Sequence, residues 1–436
     1  MPHTQFVHAF REAAPYIHYL RGKTLVIGIA SSLLQGQTLA SIAADLNLLA
    51  ALGIKLVLVH GSDCQINELC KQAQISPHFH QHRRVTDTAV LTLAQQACGQ
   101  VQFAFQAALS LGFAHSPQRT PRLRVATGNF IVAKPLGVLD GVDMDYTGQV
   151  RKLDCAAMAD YLAQNAIVLL SPMGVSMSGQ AYHLAMAEVA AAAAIQLQAE
   201  KLIFLTEWDG IFHQNNELAH ELTAAQAHEL LAETTPQSPI LHAAVEALQH
   251  NVSRVQVLSG SLNGGLLREL FTREGVGTSI APTPFMTVRA AQEFDIADII
   301  ALIRPLEERG VLVRRSREYL ENHIHEFHVL ENDRQIYGCV MLKQFADNAD
   351  VAELACLVVS PNARDGGYGD LLLQHIISQT KILGKRRLFA LTTHTSDWFA
   401  ERGFQAACVD DLPPERALEY AESGRQSRVF VMDLSN

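Results

Sequence analysis

The sequence predicts an α/β chain in two parts, a larger N-terminal region built on a mostly parallel sheet sandwiched by helices and a smaller α+β domain after it. Three observations carry this. At 436 residues the chain exceeds one ordinary domain of roughly 150 residues. Apolar strand-like runs alternate with helical periodicity from about residue 24 to 280, the pattern of a sheet covered on both faces. Two closely spaced prolines at 281–286 then interrupt the pattern, and a different rhythm begins. The domains are therefore expected at 1–280 and 287–436, with 281–286 as the linker.

Taken in order, the first element is FVHAFREAAPYIHYLRGK at 6–23, where Phe6, Phe10, Ala13, Ile17 and Leu20 recur at three- and four-residue spacing and predict an amphipathic helix. TLVIGIA and KLVLVHG read as strands flanking a helix through 38–52. RVATGNFIVAKPLG, AIVLLSPMG and KLIFLTE supply further strands, with an alanine-rich helix at 185–199 before the last of them. After the linker, MTVRAA reads as a strand, 295–309 as a helix, LVRRSREYL as a basic segment and HEFHVLENDRQIYGCVMLKQF as a hairpin. AELACLVVS is a strand leading through a glycine-rich turn into a helix at 368–383. RLFALTT, a helix closing in ERGF, and RVFVMDL complete the domain.

Composition narrows the function. Hydrophobic residues at 48% and charged residues at 18% describe an ordered globular chain with ample core. A net charge of −10 argues against general nucleic-acid binding, which requires a basic surface to release counterions. No apolar run reaches roughly 18 residues and the first thirty residues hold no signal-like apolar stretch, so a cytoplasmic location is expected. The seven cysteines include no CxxC pair and read as small buried hydrophobes. His78, His80 and His82 alternate on an extended segment, but no nearby carboxylate or cysteine completes a set; they read as a solvated loop, and no metal is expected.

The most informative segment is CLVVSPNARDGGYGDLLLQHII. Arg364, Gly367 and Gly369 stand directly between a strand and a helix, where backbone N–H groups and the helix dipole converge on one pyrophosphate. Upstream, Glu353 places a carboxylate among Val351, Leu354 and Leu357, where packing gives it no purpose and proton transfer would. Two basic clusters, Arg314-Arg315-Ser316-Arg317 and Gly424-Arg425-Gln426-Ser427-Arg428, suit a substrate with two carboxylates. Alternation after Leu312 favours Arg314 within the first. The run 385–387, KRR, reads as surface.

These motifs resemble the GNAT-type acetyltransferases. The resemblance implies that Arg364, Asp365, Gly366, Gly367, Tyr368 and Gly369 hold the pyrophosphate of acetyl-CoA, that the backbone of Cys356, Leu357, Val358 and Val359 runs along its pantetheine arm, and that the strand splays from its neighbour there. The tyrosine that usually protonates the departing thiolate is Phe399 here, leaving Thr393, Thr395 and Ser396 as candidates for the acid.

The N-terminal region resembles the amino-acid kinase fold, specifically acetylglutamate kinase, through His60-Gly61, Gln65-Ile66, Arg84-Val85-Thr86-Asp87, Gly128-Asn129-Phe130, Lys201 to Thr206, and Glu269 to Thr278. The kinases' catalytic positions are lost. Gly28-Ile29-Ala30-Ser31 replaces Lys-x-Gly-Gly, His60-Gly61-Ser62-Asp63 replaces His-Gly-Gly-Gly, and Ala187 stands where they have aspartate, so no phosphoryl-transfer apparatus is expected.

A kinase-like domain joined to a GNAT domain resembles the bacterial N-acetylglutamate synthases over the whole chain. The resemblance implies an amino-acid N-acetyltransferase that makes N-acetyl-L-glutamate from acetyl-CoA and L-glutamate, the first step of arginine biosynthesis, by direct attack with no acyl-enzyme. Arg314, Arg425, Ser427 and Cys356 would hold glutamate. It further implies feedback by L-arginine bound near Tyr16, Lys201, Glu269, Gly275 and Gly277, and an N-terminal helix linking subunits into a hexamer. The alternatives are an acetylglutamate kinase with an accessory acetyltransferase domain and a non-catalytic amino-acid sensor.

Overall fold

The computed structural model describes residues 3–434 apart from 112–122, 214–216, 233, 273–274, 283–285, 333–334, 346–347, 349, 362–366, 394 and 424–425. The chain divides into compact units spanning 1–284 and 285–436.

In the first unit the principal elements begin with α1 (His3–Leu20), β1 (Thr24–Ile29), α2 (Gly36–Ala51), β2 (Lys55–His60), α3 (Asp63–Gln72) and α4 (Thr88–Ser110). They continue with β3 (Val125–Ala126), β4 (Ile167–Leu170), α5 (Met186–Gln196), β5 (Lys201–Thr206) and β6 (Glu221–Thr223). Last come β7 (Arg254–Ser259), α6 (Gly265–Phe271) and β8 (Thr278–Ala281). One sheet runs β6-β8-β7-β5-β1-β2-β4-β3, and every neighbouring pair is parallel except β7 with β8. Covered on both faces, β1 and β2 are buried at five of six positions, which is why they read as continuous apolar runs rather than alternating ones. Val26, Val57 and Phe204 feed one core cluster and Leu25, Ile27 and Leu58 the other. Local chemistry sets the helix starts: Asp87 accepts from Val90 N at 2.8 Å and caps α4.

The second unit contains β9 (Thr287–Ala290), α7 (Ile296–Glu308), α8 (Arg317–His323), β10 (Phe327–Asn332), β11 (Gln335–Gln344), β12 (Val351–Val359) and α9 (Tyr368–Ile382). It closes with β13 (Arg387–Thr392), α10 (Ser396–Glu401), β14 (Gln405–Ala407), α11 (Pro414–Ser423) and β15 (Arg428–Asp433). Its sheet runs β9-β10-β11-β12-β13-β15-β14, antiparallel except for β12 with β13. That one parallel pair is dictated by connectivity, since α9 is the crossover between the two strands. Leu372, Leu373 and Ile376 of α9 pack with Leu354 on one face, and Ile299 and Ile303 of α7 pack with Cys356 and Val358 on the other.

Candidate active site

β12 builds the site by failing to stay regular. Its parallel pairing with β13 covers Val351 to Leu354 and stops at Leu354 opposite Ala390, while β13 continues along β15 to Thr392. From Ala355 to Val359 the side of β12 that faced β13 has no strand partner among the described residues, as expected from the splay read in the sequence. On the opposite side the ladder to β11 slips: Met341 pairs with Ala355 but Cys339 pairs with Val358, so Cys356 and Leu357 together oppose Val340. Cys356 absorbs this bulge at φ +52°, a left-handed conformation that costs a non-glycine residue about 1 kcal/mol or more. The extra residue turns Cys356 toward the α7 face.

Past the strand, Gly367 takes φ +67° and opens α9 with no side-chain cap among the described residues, a helix start whose backbone N–H groups and dipole suit an incoming acceptor. A Cβ at Gly367 would meet nothing within 4 Å, whereas one at Gly369 would lie 3.3 Å from the Trp398 ring. Asp370 in the first turn is gripped by Arg402, whose guanidinium lies 4.2 Å from the Trp398 ring centroid and holds the Asp370 carboxyl below its ordinary range. Arg364, Asp365 and Gly366 fall outside the described residues.

Glu353 is only 3% exposed, in keeping with a carboxylate set among apolar neighbours. Its oxygens accept a two-pronged grip from Arg416 of α11: Nε donates to Oε2 at 2.8 Å and Nη2 to Oε1 at 3.0 Å. Sequence reasoning missed Arg416. It sits 63 residues away in a charged helix whose pattern resembles any solvated one.

The hydroxyl candidates lie just beyond β13. Thr392 Oγ1 and Thr395 Oγ1 are 2.8 Å apart and Thr395 N donates to Thr392 Oγ1, while Ser396 begins α10 half-buried and Thr393 is exposed. In the first basic cluster Arg314 is exposed, and Arg317 pairs on the surface with Glu321. Arg315 is the half-buried member, with its backbone N–H on Glu307 Oε1 at 2.9 Å and its guanidinium 6.0 Å from the Tyr319 ring. Its charge reaches the buried thiols of the bulge. Cys356 lies below its ordinary value, through a hydrogen bond with Cys339 and then the Arg315 charge, and Cys339 lies well above its own. In the second cluster Arg425 falls outside the described residues, and the Ser427 carbonyl accepts from the Tyr420 hydroxyl of α11 at 2.8 Å.

In the first unit the arginine candidates lie on α1, β5, α6 and the turn that follows α6. Glu269 of α6 is 8% exposed; its Oε1 accepts from Gln256 Nε2 at 2.6 Å and its Oε2 from Val276 N at 2.7 Å and Gly277 N at 3.3 Å. Gly275, at φ +59°, lets that turn close over the carboxylate. Tyr16 packs against the cluster that contains Ile203, Leu270 and Val276, and Lys201, two residues before Ile203 on β5, shares its face of the sheet.

At the former phosphate loop, Gly61 N donates to Ile29 O at 2.7 Å and Ser31 Oγ accepts from Cys64 N at 3.1 Å. The Asp63 carboxylate at the start of α3 is met by Arg84 at 3.0 Å. The loop's polar groups are thus engaged with one another. Burial pushes His60 down to about 4, and its Nε2 lies 2.8 Å from Ser171 Oγ. Among the described residues no group of His, Cys, Asp and Glu could hold a metal, and no helix is long and apolar enough to cross a membrane.

The fold and site define an acetyltransferase joined to a kinase-fold domain, and comparison bears out both halves: the amino acid kinase family matches residues 23–259 and the acetyltransferase (GNAT) domain residues 323–406. An amino-acid acetyltransferase of Neisseria meningitidis serogroup A is 50% identical over 430 residues, 98% of each chain. One from Pseudomonas fluorescens strain Pf0-1 is 42% identical over 432 residues, covering 99% of this chain and 100% of that one. The crystal structure of N-acetylglutamate synthase from Neisseria gonorrhoeae complexed with coenzyme A and L-arginine is 47% identical, with a TM-score of 0.92 over 99% of this chain and 100% of that one. The same enzyme complexed with coenzyme A and N-acetyl-glutamate matches at 48% identity and a TM-score of 0.64 over the same shares. The chain belongs to the amino-acid acetyltransferase family.

Proposed function

We propose that the chain transfers the acetyl group of acetyl-CoA to the amino nitrogen of L-glutamate, giving N-acetyl-L-glutamate and CoA, and that L-arginine bound to the N-terminal unit restrains it. The observation that carries the reading is the unpartnered edge of β12 beside the uncapped start of α9. An amide-bearing arm followed by a pyrophosphate matches that order of unpaired backbone groups and helix N–H donors. The open space at Gly367 fits a bound anion, with Arg364 as its charged partner.

When bound, acetyl-CoA supplies an acyl group already activated as a thioester. The chain's residues supply position and proton transfer. Arg315, with Arg425 and Ser427, holds the two carboxylates of glutamate, and the Cys356 backbone, turned by the bulge, faces the same region. Glu353 accepts the ammonium proton, directly or through water, so that the amine attacks as a free base. Thr393 and Ser396 are the candidate hydroxyls to return a proton to the departing sulfur. In the first unit, Glu269 and the Gly275–Gly277 turn, with Tyr16 and Lys201, bind arginine. Val7 and Phe10 of α1 are 43% and 58% exposed, which supports a homo-oligomer, taken as a hexamer; the enzyme is read as cytoplasmic.

The test is thiol release from acetyl-CoA across an amino-acid panel, with and without arginine. L-Glutamate should be acetylated far faster than aspartate or glutamine, and arginine should suppress the rate. Equal rates with glutamine would sink the two-carboxylate argument.

A further inference from the structure

We propose that Arg416 is a positioning residue for Glu353, fixing the plane of its carboxylate so that the oxygens are aimed to receive the proton of the substrate amine. The proposal rests on the reading of Glu353 given above.

A carboxylate with 3% exposure and no partner would be costly to bury and free to turn away from the substrate. Arg416 prevents this with the planar, permanently charged fork that only arginine has. Its two contacts, 2.8 Å and 3.0 Å, engage one lone pair on each oxygen and leave the second lone pair of each for a substrate or water proton.

The fork is itself held. Arg416 Nη1 lies 3.3 Å from Glu419 Oε2, and Lys343 Nζ lies 2.9 Å and 3.1 Å from the two Glu419 oxygens. Lys343 stands directly across the β11–β12 ladder from Glu353. The four side chains form a chain of alternating charge, Lys343–Glu419–Arg416–Glu353, anchored at both ends on one strand pair, so Arg416 has little freedom to turn. The same helix reaches the second candidate substrate cluster, because the Tyr420 hydroxyl donates to the Ser427 carbonyl at 2.8 Å. Strand β12 and the segment before β15 are therefore referred to one rigid element, α11.

The test compares Arg416→Met, Arg416→Lys, Glu353→Gln and the Met/Gln double variant in the full-length protein, with CoA titration and thermal unfolding to establish folding. Arg416→Met should lower kcat about 10²-fold, the range of a lost proton acceptor, with the KM for acetyl-CoA changed by less than about threefold. The double variant should be no slower than Glu353→Gln, because both changes remove one function, and lysine, which restores charge without the fork, should recover part of the rate. A folded, CoA-binding Arg416→Met enzyme with near wild-type kcat overturns the proposal, as does a double variant whose losses multiply. Should the methionine variant fail to fold, the lysine variant decides: full wild-type kcat there overturns the orienting role. Wild-type turnover by Glu353→Gln would instead overturn the base assignment, a separate result.

Discussion

A Cβ placed on Gly275 would lie 2.8 Å from Glu269 Oε2, the oxygen that also accepts from Val276 N. The glycine at φ +59° and the carboxylate it shelters are one device, and the turn holds its shape only while both are present.

Gly275→Ala should therefore raise the arginine concentration needed for half-inhibition at least about tenfold, because strain at positive φ and the clash both displace Glu269. Acetyl transfer without arginine should stay within about twofold of wild type, since the change lies in the other unit. Arginine titration of thiol release checks both, and undiminished inhibition would remove Glu269 from the effector site.

Gly367→Val should abolish CoA binding while leaving the protein folded. The new Cβ has none of the described residues beyond its chain neighbours within 4 Å and enters the space where the backbone must meet the ligand, and the fold loses only about 1–2 kcal/mol from the φ +67° conformation. Calorimetric titration with CoA and a melting curve separate the effects, and wild-type affinity would displace the pyrophosphate from this loop.

Tyr420→Phe removes the hydroxyl that donates to the Ser427 carbonyl. If that segment grips the substrate's carboxylate, the KM for glutamate should rise about fivefold, the worth of one hydrogen bond, with the KM for acetyl-CoA unchanged. Equal shifts in both would point to a general loosening of the domain.

The buried histidines of the first unit set its acid sensitivity. Burial pushes both His60 and His183 down to about 4 from 6.5, so between those values the unfolded chain takes up protons that the folded chain refuses. The stability of the neutral rings is fully present above pH 6.5 and is lost as pH falls toward 4, up to about 3 kcal/mol for each ring. Denaturant unfolding of the full chain from pH 7 to 4 should show the decline, and His60→Gln should make it shallower, leaving the part due to His183.

Much of this was legible before any coordinates. The parallel core strands were visible because burial on both faces leaves apolar runs, and Glu353 stood out because a charge within such a run demands a reason. Cys356 was named for its place on the strand, but its left-handed backbone was not foreseeable, since a non-glycine bulge is imposed by the register of β11 against β12. Arg416 was missed for a similar cause: its meaning lies in a partner 63 residues distant. The alternation after Leu312 favoured Arg314, but the segment is not a strand there, so alternation does not separate the exposed Arg314 from Arg315, which is half-buried beside Tyr319.

The parting of β12 from β13 beyond Leu354 gives the second unit a crack in the middle of its sheet, rather than at a rim where most sheets keep their unpaired groups. A molecule that fills it completes the sheet, and the domain with its co-substrate is then a more fully cross-linked solid than the domain alone. At a hundredfold excess over its Kd, such a filler adds about 2.7 kcal/mol of stability by mass action. Amide exchange along Ala355–Val359 should slow first, so that the enzyme's melting behaviour reports the cell's supply of acetyl donor.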